Sequence, residues 1–195
     1  MVGPTSATRI EVVGSTTYVD LSEGALFKDK MICLGGYGRA DDFLDINKGV
    51  TITARLKLGK GVANSGAFAG IRYSAKWADD GVGVLTGNDG SDGRNNIYVK
   101  SLSGGGKVKQ TSVDATDGFH VVKLRVEADG DFIVWVDSNR VAATGDAADV
   151  GGGTLLCDAP NTWAAWSVDA VGTPGAAAGG DFSSCKLDYI IVEQF

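Results

Sequence analysis

The clearest signal along the chain is strict alternation of apolar and polar residues. In Val50-Thr51-Ile52-Thr53-Ala54-Arg55-Leu56-Lys57-Leu58 every second residue is apolar, the period expected of a strand with one dry and one wet face. Val122, Leu124 and Val126 alternate with Lys123, Arg125 and Glu127 in the same way. Asp129-Gly130 follows and leads into Phe132–Val136, and such a step between two alternating runs predicts a hairpin. A second tight turn at Ser138-Asn139 leads into Arg140-Val141-Ala142. Weaker strand candidates are Arg9–Val13, Thr17–Leu21, Lys30–Leu34, Phe43–Ile46, Ala67–Ser74, Asn96–Lys100, Val108–Val113, Thr162–Asp169 and Cys185–Glu193. No segment sustains a 3.6-residue apolar period, so no helix longer than a turn or two is expected. Ala75–Asn95, Gly145–Gly153 and Gly172–Gly180 read as long surface loops, and the second as small and flexible.

Composition sharpens this picture. Glycine fills 29 of the 195 positions, while aspartates number twenty and glutamates four. Aspartate and glycine favour turns and glutamate favours helix interiors, so many short strands with frequent punctuation are expected, in a sandwich or a barrel. Hydrophobic residues make up 44% of the chain, enough to bury a core. The length fits a single domain over residues 1–195, with residues 1–8 as an N-terminal arm.

The net charge of −6 argues against a nucleic-acid partner. No apolar run approaches the ~20 residues of a membrane helix, so no membrane insertion is expected. The start Met1-Val2-Gly3-Pro4-Thr5-Ser6 has neither a basic opening nor an apolar stretch. The expectation is a protein made in the cytoplasm without a signal peptide and displayed on a virion or other particle surface. The three cysteines, Cys33, Cys157 and Cys185, form no CxxC pair, which argues against a disulfide framework or a zinc site. A single Cys157–Cys185 bridge stays open beside buried thiols.

Phe119-His120-Val121-Val122-Lys123-Leu124-Arg125-Val126-Glu127, then Asp129-Gly130-Asp131 and Val134-Trp135-Val136-Asp137, resemble the concanavalin A-like (laminin-G-like, jelly-roll) superfamily. The closing Leu187-Asp188-Tyr189-Ile190-Ile191-Val192 is similar to the strand that returns beside the first in those domains. The likeness is specific over about 25 residues, and Asp137-Ser138-Asn139 stands where those hairpins usually continue Asp-Gly; asparagine tolerates positive φ, so the turn survives. The resemblance implies an all-β fold, a two-sheet antiparallel β-sandwich of jelly-roll type. It implies no single function, because lectins, glycosidases, lyases and structural modules share that scaffold.

The chemistry in the sequence is sparse. Glycan-cleaving sites use paired carboxylates on one face, yet Glu11, Glu23, Glu127 and Glu193 are isolated, and Asp129 and Asp131 flank a turn. The lone histidine, His120, shares a strand face with Val122 and Leu124 and reads as locally hydrogen-bonded rather than as a general base. Neither a nucleophile elbow nor a phosphate loop is present, so no catalytic residue is assigned. Asn88, Asp89 and Asp92 offer oxygen ligands suited to calcium, and no other cofactor is implied. Trp77, Asp79, Asp80, Arg94 and Asn95 combine an aromatic face with planar polar groups, the chemistry of glycan recognition. Tyr37, Tyr73 and Tyr98 are candidates to extend that platform, and of Trp163 and Trp166 one faces the core.

Two functional readings follow. The first is a non-catalytic structural or adhesive module on a larger assembly, a capsid-decoration or tail-associated protein that contacts other subunits or itself as a homo-oligomer. The alternative is a lectin-like carbohydrate-binding module. A polysaccharide hydrolase or lyase comes third.

Overall fold

A computed structural model describes residues 10–13, 19–20, 31–34, 45, 47–58, 68–76, 80–87, 96–101, 103–158, 165–171 and 185–195. The expected arm over residues 1–8, the Gly172–Gly180 loop, Tyr37, Trp163 and all but Asp45 of the Phe43–Ile46 candidate lie outside these. Asp45 itself is not in a strand.

Two antiparallel sheets make up the fold. The first contains β1 (Ile10–Val13), β2 (Val19–Asp20), β4 (Val50–Leu58), β9 (His120–Val126), β10 (Phe132–Val136), β11 (Asn139–Ala143) and β13 (Cys185–Gln194). Its order is β1-β13-β4-β9-β10-β11, with β2 also pairing with β13. The second contains β3 (Met31–Leu34), β5 (Phe68–Lys76), β6 (Asp80–Gly87), β7 (Asn96–Ser101), β8 (Lys107–Asp114) and β12 (Ala165–Val171), in the order β3-β12-β5-β6-β7-β8. One four-residue helical turn, α1 (Ser103–Gly106), joins β7 to β8. The expected antiparallel β-sandwich is the observed one, and β13 returns beside β1, pairing Ile10 with Val192.

Alternation explains the packing. Val50, Ile52, Ala54 and Leu56 of β4 turn inward with Val122, Leu124 and Val126 of β9 and Phe132, Val134 and Val136 of β10. Ile71, Tyr73, Val82, Val84, Ile97 and Val99 of the second sheet meet them in one continuous buried cluster. Each such aliphatic side chain contributes about 1.5–3 kcal/mol by leaving water. Tyr73 is therefore a core residue, and burial pushes its phenol far above the ordinary range, which removes it from any surface platform.

The flank beside β7 and β8 is closed by residues 155–158. Leu155 and Cys157 enter the core cluster, and Cys157 is a buried thiol whose Sγ donates to the Asp158 carbonyl at 3.7 Å. Two buried hydroxyls fasten this segment. Ser101 Oγ accepts from Leu156 N at 3.0 Å, and Ser103 Oγ accepts from Asp158 N at 2.9 Å. The stretch Gly145–Gly153 is likewise pinned, contrary to its reading as a small flexible loop. Ala147 bridges to Thr154, Val150 N donates to Val108 O at 3.1 Å, and Asp149 Oδ2 accepts from Gln110 N at 2.7 Å.

Two further expectations are corrected. Ala75–Asn95 is not one long loop, because Asp80–Gly87 is the central strand β6. Val82 and Val84 keep the apolar period there, but Gly81 and Gly83 occupy the slots where polar side chains would have announced a strand. At the β10–β11 hairpin the left-handed residues are Asp137 (φ 49°) and Ser138 (φ 68°) rather than Asn139. Positive φ at both central positions is the type I′ geometry that matches strand twist.

Two substitutions test this packing by chemical denaturation. Leu124→Ala, at a fully buried site, is expected to cost about 2–5 kcal/mol. Gly70→Ala is expected to cost at least as much as an ordinary glycine replacement at positive φ, because its Cβ would stand 2.1 Å from the Val84 carbonyl oxygen. Retention of full stability in both would contradict the described register.

Candidate functional site

The residues singled out in the sequence fall at opposite ends of one strand. Trp77 and Asp79 lie in the connection before β6, and Asn88, Asp89, Asp92, Arg94 and Asn95 lie in the connection after it. All seven lie outside the described residues. Asp80 begins β6 opposite Lys76, and its side chain also lies outside the description. From Asp80 to Gly87 the strand spans roughly 23 Å at about 3.3 Å per residue. The two groups of candidates therefore adjoin the two ends of a central strand in the chain. Among the described residues, no three His, Cys, Asp or Glu side chains converge as a metal site.

Between those ends lies the face of the second sheet that is turned away from the core. Neighbours in register form two rows across it: Ser167–Arg72–Gly83–Lys100–Val108 and Asp169–Gly70–Leu85–Tyr98–Gln110. Leu85, Tyr98 and Val108 form a buried cluster separate from the core. Arg72 is only 8% exposed and Tyr98 4%. A sheet face on the solvent side ordinarily carries exposed polar groups, whereas here Arg72 and Tyr98 are covered. Glycine makes the arrangement possible. A Cβ on Gly83 would stand 3.0 Å from Leu85 Cδ1 and 3.3 Å from Arg72 Cγ, so both side chains lie flat over a position that must stay bare.

Chemically, this face joins a planar five-donor guanidinium, a phenol ring, an ammonium and a carboxamide around the buried Leu85–Tyr98–Val108 cluster. Arg72 presents donors in a fixed fork, Tyr98 supplies an apolar body with a polar tip, and Lys100 and Gln110 are half-buried beside them. The sequence pointed to Tyr98 but missed Arg72 and Lys100. With β6 read as loop, no face existed on which to place them; the Gly81-Val82-Gly83-Val84 alternation was the available signal.

His120 forms the other polar cluster. Its Nδ1 lies 2.6 Å from Asp137 Oδ2 and its Nε2 lies 2.9 Å from Asp117 Oδ1. Asp137 Oδ1 also accepts from Val121 N at 2.9 Å. Local hydrogen bonding is therefore what the structure shows for this histidine. With both ring nitrogens engaged by carboxylates, the ring has no open nitrogen for a substrate proton. Burial alone would lower the His120 pKa, but the hydrogen bonds and charges of Asp137 and Asp117 outweigh it and hold it above 6.5. For Asp137, burial acts upward and is overcome by His120 and the Val121 N–H, leaving it below its ordinary value. Asp114, close enough to add attraction, is lowered by the Thr116 N–H and hydroxyl.

The sign of the pH effect follows. The raised histidine stabilises the fold fully below its unfolded pKa and loses that contribution as pH climbs through the higher folded value. The depressed Asp137 contributes above the unfolded carboxylate pKa and loses its share as pH falls through the lower folded value. The staple is thus complete in mildly acidic solution. His120→Gln is expected to lower stability by about 1 kcal/mol there and to flatten the decline as pH rises above 6.5. Denaturation at several pH values reads both, and an unchanged pH profile in the variant would contradict the assignment.

No family model and no curated protein sequence matches this chain. Solved structures do match in shape. One is a native glycosidic hydrolase, with a TM-score of 0.53, 14% identity and 95% of each chain covered. Another is the carbohydrate recognition domain of Emp47p, with a TM-score of 0.50, 10% identity, and 97% of this chain and 89% of that one covered. The alginate lyase AlyC3 gives a TM-score of 0.50 and 10% identity over 76% of this chain. This chain spans 65% of the lyase's length. At these identities the likeness establishes the fold, which is that of the concanavalin A-like jelly rolls.

Proposed function

We propose that this protein is a carbohydrate-binding β-sandwich module that takes its glycan on the outer face of the second sheet. The observation that carries the reading is a charged and an aromatic side chain, Arg72 and Tyr98, held at 8% and 4% exposure on a sheet face that does not belong to the core. Largely apolar sites with a few convergent polar groups are where small ligands and sugars bind. Three structures of similar shape are described as a carbohydrate recognition domain, a glycosidic hydrolase and an alginate lyase. That company supports glycan recognition better than it supports a particle-surface role, though a module mounted on an assembly can grip sugars as well.

In this reading the glycan lies along the outer face beside Arg72 and Tyr98, whose burial holds their side chains in place there. Trp77, Asp79 and Asp80 at one end of β6, and Arg94 and Asn95 at the other, form the two ends of the binding track. Calcium held by Asn88, Asp89 and Asp92 would order the second end. Catalysis is not part of the proposal. His120 is closed on both sides, and Asp129 Oδ1 is spent on the Asp131 N–H at 3.1 Å within its turn.

A glycan array probed with the native protein, Arg72→Lys and Trp77→Ala tests this. The native protein should bind, and Arg72→Lys, which keeps the charge but loses the fork, should weaken binding about tenfold. Trp77→Ala should reduce it as well. Binding unaffected by either change, in variants that unfold at the native temperature, would refute the site. A folded native protein that binds no glycan would refute the function.

A further inference from the structure

A strand that ends a sheet leaves a row of backbone N–H and C=O groups able to pair with another chain. β11 ends the first sheet and β8 the second, and the loop of residues 145–153 reaches both. On β11, Ala143 N donates to Asp146 Oδ2 at 2.9 Å, while the next amide, Thr144 N, donates to the Phe132 carbonyl at 3.0 Å. The Ala143 N–H therefore faces away from β10, and a carboxylate stands where a further strand would add. On β8, Val108 N donates to Val150 O at 3.0 Å, and Val108 O accepts from Asp149 N at 2.8 Å and Val150 N at 3.1 Å. Two residues on, Gln110 N donates to Asp149 Oδ2 at 2.7 Å. Backbone groups two residues apart point to the same side of a strand, so the loop takes up the side of β8 away from β7.

The loop is built to do this without being part of the core. Its neck is closed by Gly145 N donating to Leu155 O at 3.0 Å and Leu155 N donating to Asp146 O at 2.9 Å, and Leu155 is fully buried. Beyond the neck Ala147 bridges to Thr154, and Gly151, Gly152 and Gly153 all have positive φ, which lets the tip curl back on itself. Within residues 147–153 only the small Ala148 packs against the core cluster. Asp149 is exposed and Val150 is 36% exposed. The core thus holds the neck, and hydrogen bonds hold the tip on β8.

We propose that the loop of residues 145–153 is an edge guard, in which Asp149 and Val150 occupy the free side of β8 and keep a second copy of this chain from adding to the sheet there. A second copy is the occupant because it presents the same edge, and an edge paired with itself closes by two-fold symmetry. β8 is eight residues long and carries Val108, Thr111 and Val113, residue types favoured in strands, so it is competent to pair once uncovered. This inference does not rest on carbohydrate binding.

Sedimentation and amide hydrogen exchange on the full chain test it, with residues 148–153 replaced by Asn-Gly, a two-residue turn suited to the Ala147–Thr154 bridge. At about 1 μM the amides of Val108 and Gln110 in the trimmed chain should exchange at least about tenfold faster than in the native chain. At about 200 μM the trimmed chain should dimerise and both amides should slow again, while the native chain keeps its size. Should the trimmed chain fail to fold, Asp149→Ala joined with Val150→Pro removes the Gln110 acceptor and one Val108 donor, and should give the same two changes to a smaller degree. A folded variant that keeps the native size at the higher concentration would overturn the proposal. Association that leaves the Val108 and Gln110 amides in fast exchange would also overturn it, by placing the contact elsewhere. So would a native chain that associates as readily as the variant.

Discussion

Everything in this molecule depends on the contact between the inward faces of its two sheets. Ile52, Leu124 and Phe132 on one side and Ile71, Val84 and Ile97 on the other are sealed from water, and their burial fixes the parity of every strand. Once Ile71 and Tyr73 are committed to the core, Arg72 must face the other way. Once Val82 and Val84 are committed, Gly81 and Gly83 must face outward with it. The site is thus the reverse side of the core. A one-residue slip in β5 would bury the guanidinium between the sheets and turn Ile71 outward.

That dependence explains what could be read from the chain alone. β4, β9 and β10 were legible because polar residues such as Thr51, Lys123 and Arg125 alternate with their apolar ones, and alternation is the direct imprint of a half-buried strand. The hairpin at Asp129-Gly130 followed from this, while the return of β13 beside β1 came from the resemblance of Leu187–Val192 to a closing jelly-roll strand. β6 was not legible, because its outward positions are glycines, and glycine marks turns as readily as it marks a floor. The same ambiguity hid the site. Arg72 and Lys100 look like solvated strand residues until the register places them in one row on the outward face.

The hairpin turn shows a second limit. Asp137 adopts a left-handed conformation that asparagine or glycine would accept more easily, and the sequence pointed to Asn139 instead. The contact that favours Asp137 is tertiary: its carboxylate receives both the His120 ring and the Val121 N–H. That pair lies 17 residues apart in the chain, which no local rule of turn preference can see. His120 was read as a strand residue with local partners, and the structure supplies two. They make it a clasp between the entry to β9 and the β10–β11 turn.

Where a bound sugar sits is the question that reaches deepest into this account. Backbone amide shifts of the isotopically labelled protein, followed during titration with a glycan identified as a ligand, answer it directly. The largest changes should fall on Gly83, Tyr98 and Lys100, with the first sheet silent. Changes clustered instead on Lys123, Arg125 and Trp135, on the opposite side of the sandwich, would show that the wrong face has been assigned.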